Sequence, residues 1–265
     1  MSPITGPQAL WNTLAPLLAA MPRVGAALAA APLFPASLFP ILLRSAVGVA
    51  LSLFLYPSMA AHMPPAMDGL MWLALIGKEV FIGALIGFAV GTLIWVFQSV
   101  GAMIDFQVGL ANAQIFDPFG GHDAGPYSGL MLRIAVILFV VGGGLQVFAS
   151  LLFESFHLWP MASYFPSIGE RAADFAGGSL GSIAQLIVRL AAPVILALAL
   201  IDFGFGLVSR AVPQLNVFYF TMPIKGALAA LMITLYLSYL ADVVTGELAD
   251  LGHWLEHLEP VMSGR

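Results

Sequence analysis

Apolar stretches of nearly membrane-crossing length recur along the chain, at about Leu10–Leu33, Ile41–Met59, Met71–Phe97, Leu130–Leu152, Ile183–Leu207 and Gly226–Val243. A helix advances about 1.5 Å per residue, so roughly 20 consecutive apolar residues carry it across the hydrocarbon layer. The pattern predicts an all-α, hydrophobic polytopic membrane protein of about six apolar helices, some of them broken or kinked. Composition agrees: 9% of the 265 residues are charged, against roughly 25% in soluble domains. Length is then no guide to domain number, and residues 1–265 read as one domain. No Lys or Arg precedes Arg23, so the charged start of a cleavable signal peptide is missing and the N-terminus is expected to be retained.

Turn-forming clusters separate the stretches: Pro35 to Pro40, His62 to Pro65, Asp117 to Pro126, Pro166 to Gly178 and Pro213 to Pro223. The longest irregular segment runs from about Gln107 to Gly129. Its amides and glycines (Gln107, Gly109, Asn112, Gln114, Gly120, Gly121) suit a pore-facing or buried loop, while a plain surface loop is the competing reading. Asp105, Asp117 and Asp123 bracket it. Acidic groups beside a membrane path can relay protons or bind ions, but capping a helix or favouring a turn is the commoner use.

Charges inside the apolar stretches need partners. The fifth holds Arg189, Pro193 and Asp202, and the thirteen-residue offset between the two charges places them about 20 Å apart on a helix, too far to pair. Arg189 fits a span end from which it snorkels to the interface; Asp202 fits that role less well. Positive-inside counting leaves the orientation undecided, with Arg23, Arg44, Arg133, Arg210 and Lys225 on one side and Lys78, Arg171, Arg189 and Arg265 on the other. Gly83, Gly87 and Gly91 fall on one helix face and form a stripe on which another backbone can pack closely. Gly142 to Gly144, Gly204 and Gly206 point to further close packing or bending. From Asp242 on, Leu248, Leu251, Trp254, Leu255 and Leu258 alternate with acidic residues, an amphipathic C-terminal helix and tail over residues 242–265.

Several chemistries are excluded or disfavoured. The chain contains no Cys, which removes disulfides and thiolate sites. Its net charge of -5 and dispersed basic residues disfavour nucleic-acid binding. No phosphate-cradling loop, dinucleotide fingerprint or nucleophile elbow occurs. His253 and His257 have helical metal-ligand spacing but lack a third ligand. No cofactor, metal or catalytic residue is expected.

The string Phe205 to Phe218, containing Arg210, Pro213, Gln214 and Asn216, followed by Met222, Pro223, Ile224 and Lys225, closely resembles the signature of the FliR/YscT/HrcT family. This family supplies inner-membrane export-apparatus components to type III secretion systems and flagella. Ala31 to Phe34 with Pro40 and Arg44, Lys78-Glu79 through Gly83, Gly87 and Gly101, and Ile104 to Gly109 running to Asp117-Pro118 are similar as well. Glu154 to Pro160 looks like the injectisome branch, whereas Phe106 and the glycine-rich Gly120–Gly125 depart from the usual pattern. The resemblance implies one copy in a gate with small hydrophobic FliP-like and FliQ-like subunits, a FliB/FlhB-like switch protein nearby, and unfolded substrate proteins in transit. It implies placement in the basal body at the bacterial inner membrane. It also implies that residues 107–129 act as a channel plug, with Gln107, Gly109, Asn112, Asp117 and Pro118 as its best-matched residues. A secondary transporter with discontinuous helices is the alternative; it predicts inverted repeats, and none is evident. An intramembrane enzyme is more remote.

Overall fold

A computed structural model describes residues 7–35, 39–60, 69–110, 125–160, 172–212 and 217–252. The regular structure among them is helical: α1 (Pro7–Ala30), α2 (Ile41–Ala60), α3 (Gly69–Val108), α4 (Pro126–Val141), α5 (Gly144–Leu158), α6 (Ala172–Ala211) and α7 (Val217–Gly252).

Among the described residues the six apolar stretches correspond to seven helices, because the fourth is broken. Gly143 adopts φ +83°, a left-handed conformation that costs a glycine nothing and ends a helix. The Gly142 amide closes the last turn of α4 on the Leu138 carbonyl, and α5 starts at Gly144. The helices also outrun the apolar stretches. α3 has 40 residues, about 60 Å at the standard rise, and continues past Phe97 through Asp105 and Gln107. Gln107 is therefore helical. With α4 beginning at Pro126, the segment between helices is 109–125 rather than 107–129.

Length and apolarity suffice for membrane crossing in α3, in residues 181–211 of α6 and in residues 219–252 of α7. A fourth span results if α4 and α5 count as one broken crossing, while the apolar parts of α1 and α2 are shorter. The count of apolar helices thus exceeds the count long enough to cross. The acidic stretch expected to leave the bundle from Asp242 begins as a continuation of α7 to Gly252; residues 253–265, with His253 and His257, lie outside the described residues.

The chain divides into two compact units. The first comprises Met1–Thr92, Gly143–Phe175 and Leu248–Arg265; its buried side chains include Val24 and Ala27 of α1, Ile82 and Ile86 of α3, and Phe148 and Leu152 of α5. The second comprises Leu93–Gly142 and Ala176–Glu247, with Ile94, Phe97 and Ile104 of α3, Phe139 of α4, Leu198 of α6 and Ala229 of α7 buried. On α6 of this unit, Leu196, Leu200, Phe203 and Leu207 recur at helical spacing and are all more than half exposed. A continuous apolar stripe of that kind belongs against lipid or another protein rather than water.

Candidate functional site

Polar side chains gather at two centres, one in each unit. In the first unit the glycine stripe creates the geometry. A Cβ on Gly83 would overlap the Arg23 carbonyl, one on Gly87 the Ala27 carbonyl, and one on Gly91 would sit 3.0 Å from Pro32 Cδ and 3.1 Å from the Ala30 carbonyl. Residue numbers rise together along both helices, so α1 runs parallel to α3 with backbones in contact, as small residues permit. With its backbone over Gly83, Arg23 reaches one turn along α3 to Glu79. Its Nε lies 2.5 Å from Glu79 Oε2, and both side chains are 0% exposed.

The remaining donors of Arg23 are used as well. Nη1 donates to Ser155 Oγ and Nη2 to the Trp159 carbonyl, each at 3.0 Å, and the guanidinium lies 3.8 Å from the Phe156 ring centre. Lys78 Nζ is 3.1 Å from Glu79 Oε1 and donates to the Pro160 carbonyl at 2.9 Å. Two cations therefore hold the carbonyls at and just beyond the end of α5, where the helix dipole is negative, and a single carboxylate between them offsets their charge. Removing one partner of such a buried pair costs about 3–5 kcal/mol, because the survivor stays buried without compensation. This centre is built to persist.

The second centre frames the segment 109–125. At the end of α3 the Gly109 amide bonds the carbonyls of Asp105 (3.2 Å) and Phe106 (3.1 Å), the Leu110 amide bonds that of Asp105 (3.0 Å), and Gly109 takes φ +97°. The backbone turns out of the helix there, a glycine-dependent stop. One turn earlier, the Asp105 side chain serves the start of α4: Oδ1 accepts from the Tyr127 amide at 3.0 Å and Oδ2 from the Ser128 amide at 2.8 Å. Gly125, the residue before α4, has no side chain with which to cap it. A Cβ on Gly125 would run into the Asp105 carboxylate, and one on Gly101 would come within 2.5 Å of the Tyr127 carbonyl. Both glycines thus admit the close approach of α3 and α4. Ser128 Oγ donates to the Gln98 carbonyl (3.2 Å) and Tyr127 Oη to the Gly226 carbonyl of α7 (2.6 Å). The segment 109–125 consequently leaves and re-enters the helices at one stapled point.

Beside the staple, Gln107 joins α6 and α7. Its Nε2 donates to Asp202 Oδ2 at 3.0 Å, while Lys225 Nζ donates to the Gln107 carbonyl at 2.5 Å and lies 2.9 Å from Asp202 Oδ1. The charge partner that Asp202 requires is thus Lys225. The Lys225 side chain is 10% exposed and that of Asp202 40%, so Asp202 is open at the surface of its unit, in contrast to the first centre. Arg189 lies with its guanidinium 6.0 Å from the Tyr239 ring centre.

The residues selected from sequence divide accordingly. Gln107 and Lys225 come together at Asp202; Gly109 ends α3; Gly83, Gly87 and Gly91 carry α1. Arg210 and Pro223 are exposed on α6 and α7, and Asn112, Asp117, Pro118, Pro213, Gln214 and Asn216 lie outside the described residues. Asp105 takes the capping role. Among the described residues nothing packs against Gly204 or Gly206, where an added Cβ meets open space; they lie among the exposed residues of α6. The Arg23–Glu79–Lys78 centre was not anticipated, although a lone Arg in the first apolar stretch and a lone Glu in the third each demand a counter-charge. No group of metal-binding side chains occurs among the described residues.

Comparison with known proteins places these features in context. Residues 14–251 match the profile of the family described as "Bacterial export proteins, family 1". The chain is 36% identical over 196 residues to Yop proteins translocation protein T of Yersinia pestis, covering 74% of this chain and 75% of the relative. It is 29% identical over 196 residues to surface presentation of antigens protein SpaR of Salmonella typhimurium, covering 74% and 72%. With flagellar biosynthetic protein FliR of Bacillus subtilis it shares 29% identity over 225 residues, covering 84% and 86%.

Proposed function

The chain belongs to the FliR/YscT/HrcT family of bacterial export proteins, on its injectisome branch, and from that membership we propose that it is a multi-pass inner-membrane subunit of a type III protein export apparatus. It contributes to the path for unfolded substrate proteins and helps close that path with the segment 109–125. Its role is structural and gating rather than catalytic. Its partners are the small hydrophobic FliP-like and FliQ-like subunits and the FliB/FlhB-like switch protein within the basal body; the exposed apolar stripe of α6 is the kind of surface such an assembly covers.

The observation that carries the gating reading is the stapled segment. The seventeen residues 109–125 start at the Asp105 backbone carbonyl and end just before the Tyr127 and Ser128 amides that the Asp105 carboxylate holds, so α3 and α4 are joined without the segment. Local opening is cheap where few interactions are lost. Beside the segment Asp202 is open at the surface of its unit with Lys225 as its partner, whereas removing a partner from the fully buried Arg23 centre costs about 3–5 kcal/mol. The gate would then move at the second centre while the first holds its unit together.

The test is to replace residues 111–124 by a short Gly-Ser bridge, which the staple leaves room for, and to measure uptake of a small impermeant solute by cells carrying the complete apparatus. Uptake should rise while the small hydrophobic subunits still copurify with the chain. Unchanged uptake in an intact complex would refute the closing role.

A further inference from the structure

We propose that the exposed face of α4 is the docking site for a membrane helix of one of the small hydrophobic subunits, a helix that brings a carboxylate level with Arg133. The inference rests on the reading of the chain as an export-apparatus subunit, and adds where one partner binds and by what chemistry.

Two opposed faces run along α4. Ser128, Met131, Ala135 and Phe139 are buried in its own unit. The other side presents Leu130, Arg133, Ile137 and Val140, all exposed, at steps of three, four and three residues. That spacing makes one straight stripe, the kind of seam on which a second helix packs. Arg133 stands at its centre, the eighth of the sixteen residues of α4 and about 11 Å from either end. It takes part in no ion pair or hydrogen bond among the described residues.

Of three surroundings for this stripe, two leave part of it mismatched. Lipid suits Leu130, Ile137 and Val140 but not the cation between them, which is among the costliest groups to place in hydrocarbon and snorkels best from a helix end. Water suits Arg133 but wets the large apolar side chains on either side of it, of which Ile137 is 60% exposed. An apolar helix bearing one Asp or Glu opposite Arg133 matches all four residues. It packs on the aliphatic side chains while its carboxylate accepts paired hydrogen bonds from the guanidinium. Two other cations of the chain are met in the same way, Arg23 by Glu79 and Lys225 by Asp202. The stripe on α6 makes no such distinction, because Leu196, Leu200, Phe203 and Leu207 suit lipid and protein alike.

The test uses an affinity-tagged chain in the complete apparatus and quantifies the small hydrophobic subunits recovered with it in mild detergent. Arg133→Leu strands the partner's carboxylate, so recovery should fall by roughly tenfold or more, while the level of the chain in the membrane holds or rises. Arg133→Lys keeps the charge without the fork and should retain part of the recovery. Arg133→Glu should abolish recovery and secretion, and selection for restored secretion should return the exchange of an Asp or Glu for a basic residue in a helix of a small hydrophobic subunit. Full recovery with Arg133→Leu would overturn the proposal and leave the stripe to lipid or water. A suppressor at a carboxylate of this chain would overturn it too, by placing the counter-charge within the chain.

A second measurement leaves the charge in place. A photo-crosslinking amino acid substituted for Ile137 should join the chain to a small hydrophobic subunit, and Arg133→Leu should reduce that product by a similar factor. Crosslinks to lipid alone, or to any other protein, would overturn the docking. An unaltered chain that recovers no small hydrophobic subunit refutes the export-apparatus reading itself, whereas normal recovery without the Ile137 product refutes only the docking on α4.

Discussion

Substituting Ala for single glycines of α3 should produce opposite signs within one helix. At Gly83 and Gly87 the new methyl meets backbone atoms of α1, the carbonyl groups of Arg23 and Ala27. Backbone does not rotate aside, so relief requires α1 to move as a whole. Overpacking of this kind costs about 1–3 kcal/mol, and the roughly 1 kcal/mol that Ala gains over Gly in a helix offsets only part of it. At Gly83 the displacement also draws Arg23 away from its 2.5 Å contact with Glu79, which places this variant at the upper end, a net loss of about 2 kcal/mol or more. Gly77 lies on the same helix with no atom within 4 Å of an added Cβ. Gly77→Ala should therefore stabilise by up to about 1 kcal/mol. Gly91, whose nearest neighbours are at 3.0 and 3.1 Å, should fall near zero. Thermal unfolding of the purified subunit or its complex in detergent measures the order. Gly83→Ala and Gly87→Ala variants as stable as Gly77→Ala would refute backbone contact between α1 and α3.

Two further substitutions probe the polar centres. Glu79→Gln leaves Arg23 and Lys78 buried around a neutral group and should cost about 3–5 kcal/mol, whereas Lys78→Met keeps the Arg23–Glu79 pair and should cost about 1 kcal/mol; equal thermal midpoints in detergent would contradict the shared-carboxylate arrangement. Asp105→Ala should destabilise by about 1–2 kcal/mol through loss of the cap on α4. Hydrogen exchange should show faster exchange at the Tyr127 and Ser128 amides, and Asp105→Asn should retain most of their protection; unchanged exchange in Asp105→Ala would show that the staple does not hold α4.

Hydropathy revealed the apolar stretches but not the helices' true ends, and the reason is physical. Gln98, Ser99, Asp105 and Gln107 read as an exit from hydrocarbon, yet α3 continues through them. Hydropathy reports compatibility with lipid, whereas a helix packed on protein tolerates polar side chains that find partners there, as Asp105 does on α4. The break at Gly143 was visible as a glycine run, but whether such a run packs or breaks depends on what lies opposite. Both Gly83 and Gly143 fall within apolar stretches, yet Gly83 stays helical against the α1 backbone whereas Gly143 takes φ +83° and ends α4.

The pairing of the second centre, by contrast, was within reach of counting. α6 and α7 are separated by a short Pro-containing connection, and short connections make antiparallel neighbours. Residues equally far from the middle of such a connection stand level with each other. From Gln214, Asp202 lies 12 residues back (214 − 202) and Lys225 lies 11 forward (225 − 214), so the stranded carboxylate of α6 faces the one Lys of α7. The same register puts Arg189 opposite Tyr239, each 25 residues from Gln214 (214 − 189 and 239 − 214), and the guanidinium indeed lies 6.0 Å from that ring centre. No such rule connects Arg23 to Glu79, because a whole helix, α2, intervenes and α1 runs parallel to α3. For that centre the charges announce only that partners exist. The glycine stripe one turn beyond Glu79 is what identifies them, since only the helix that lies on Gly83 comes close enough to deliver a guanidinium to Glu79.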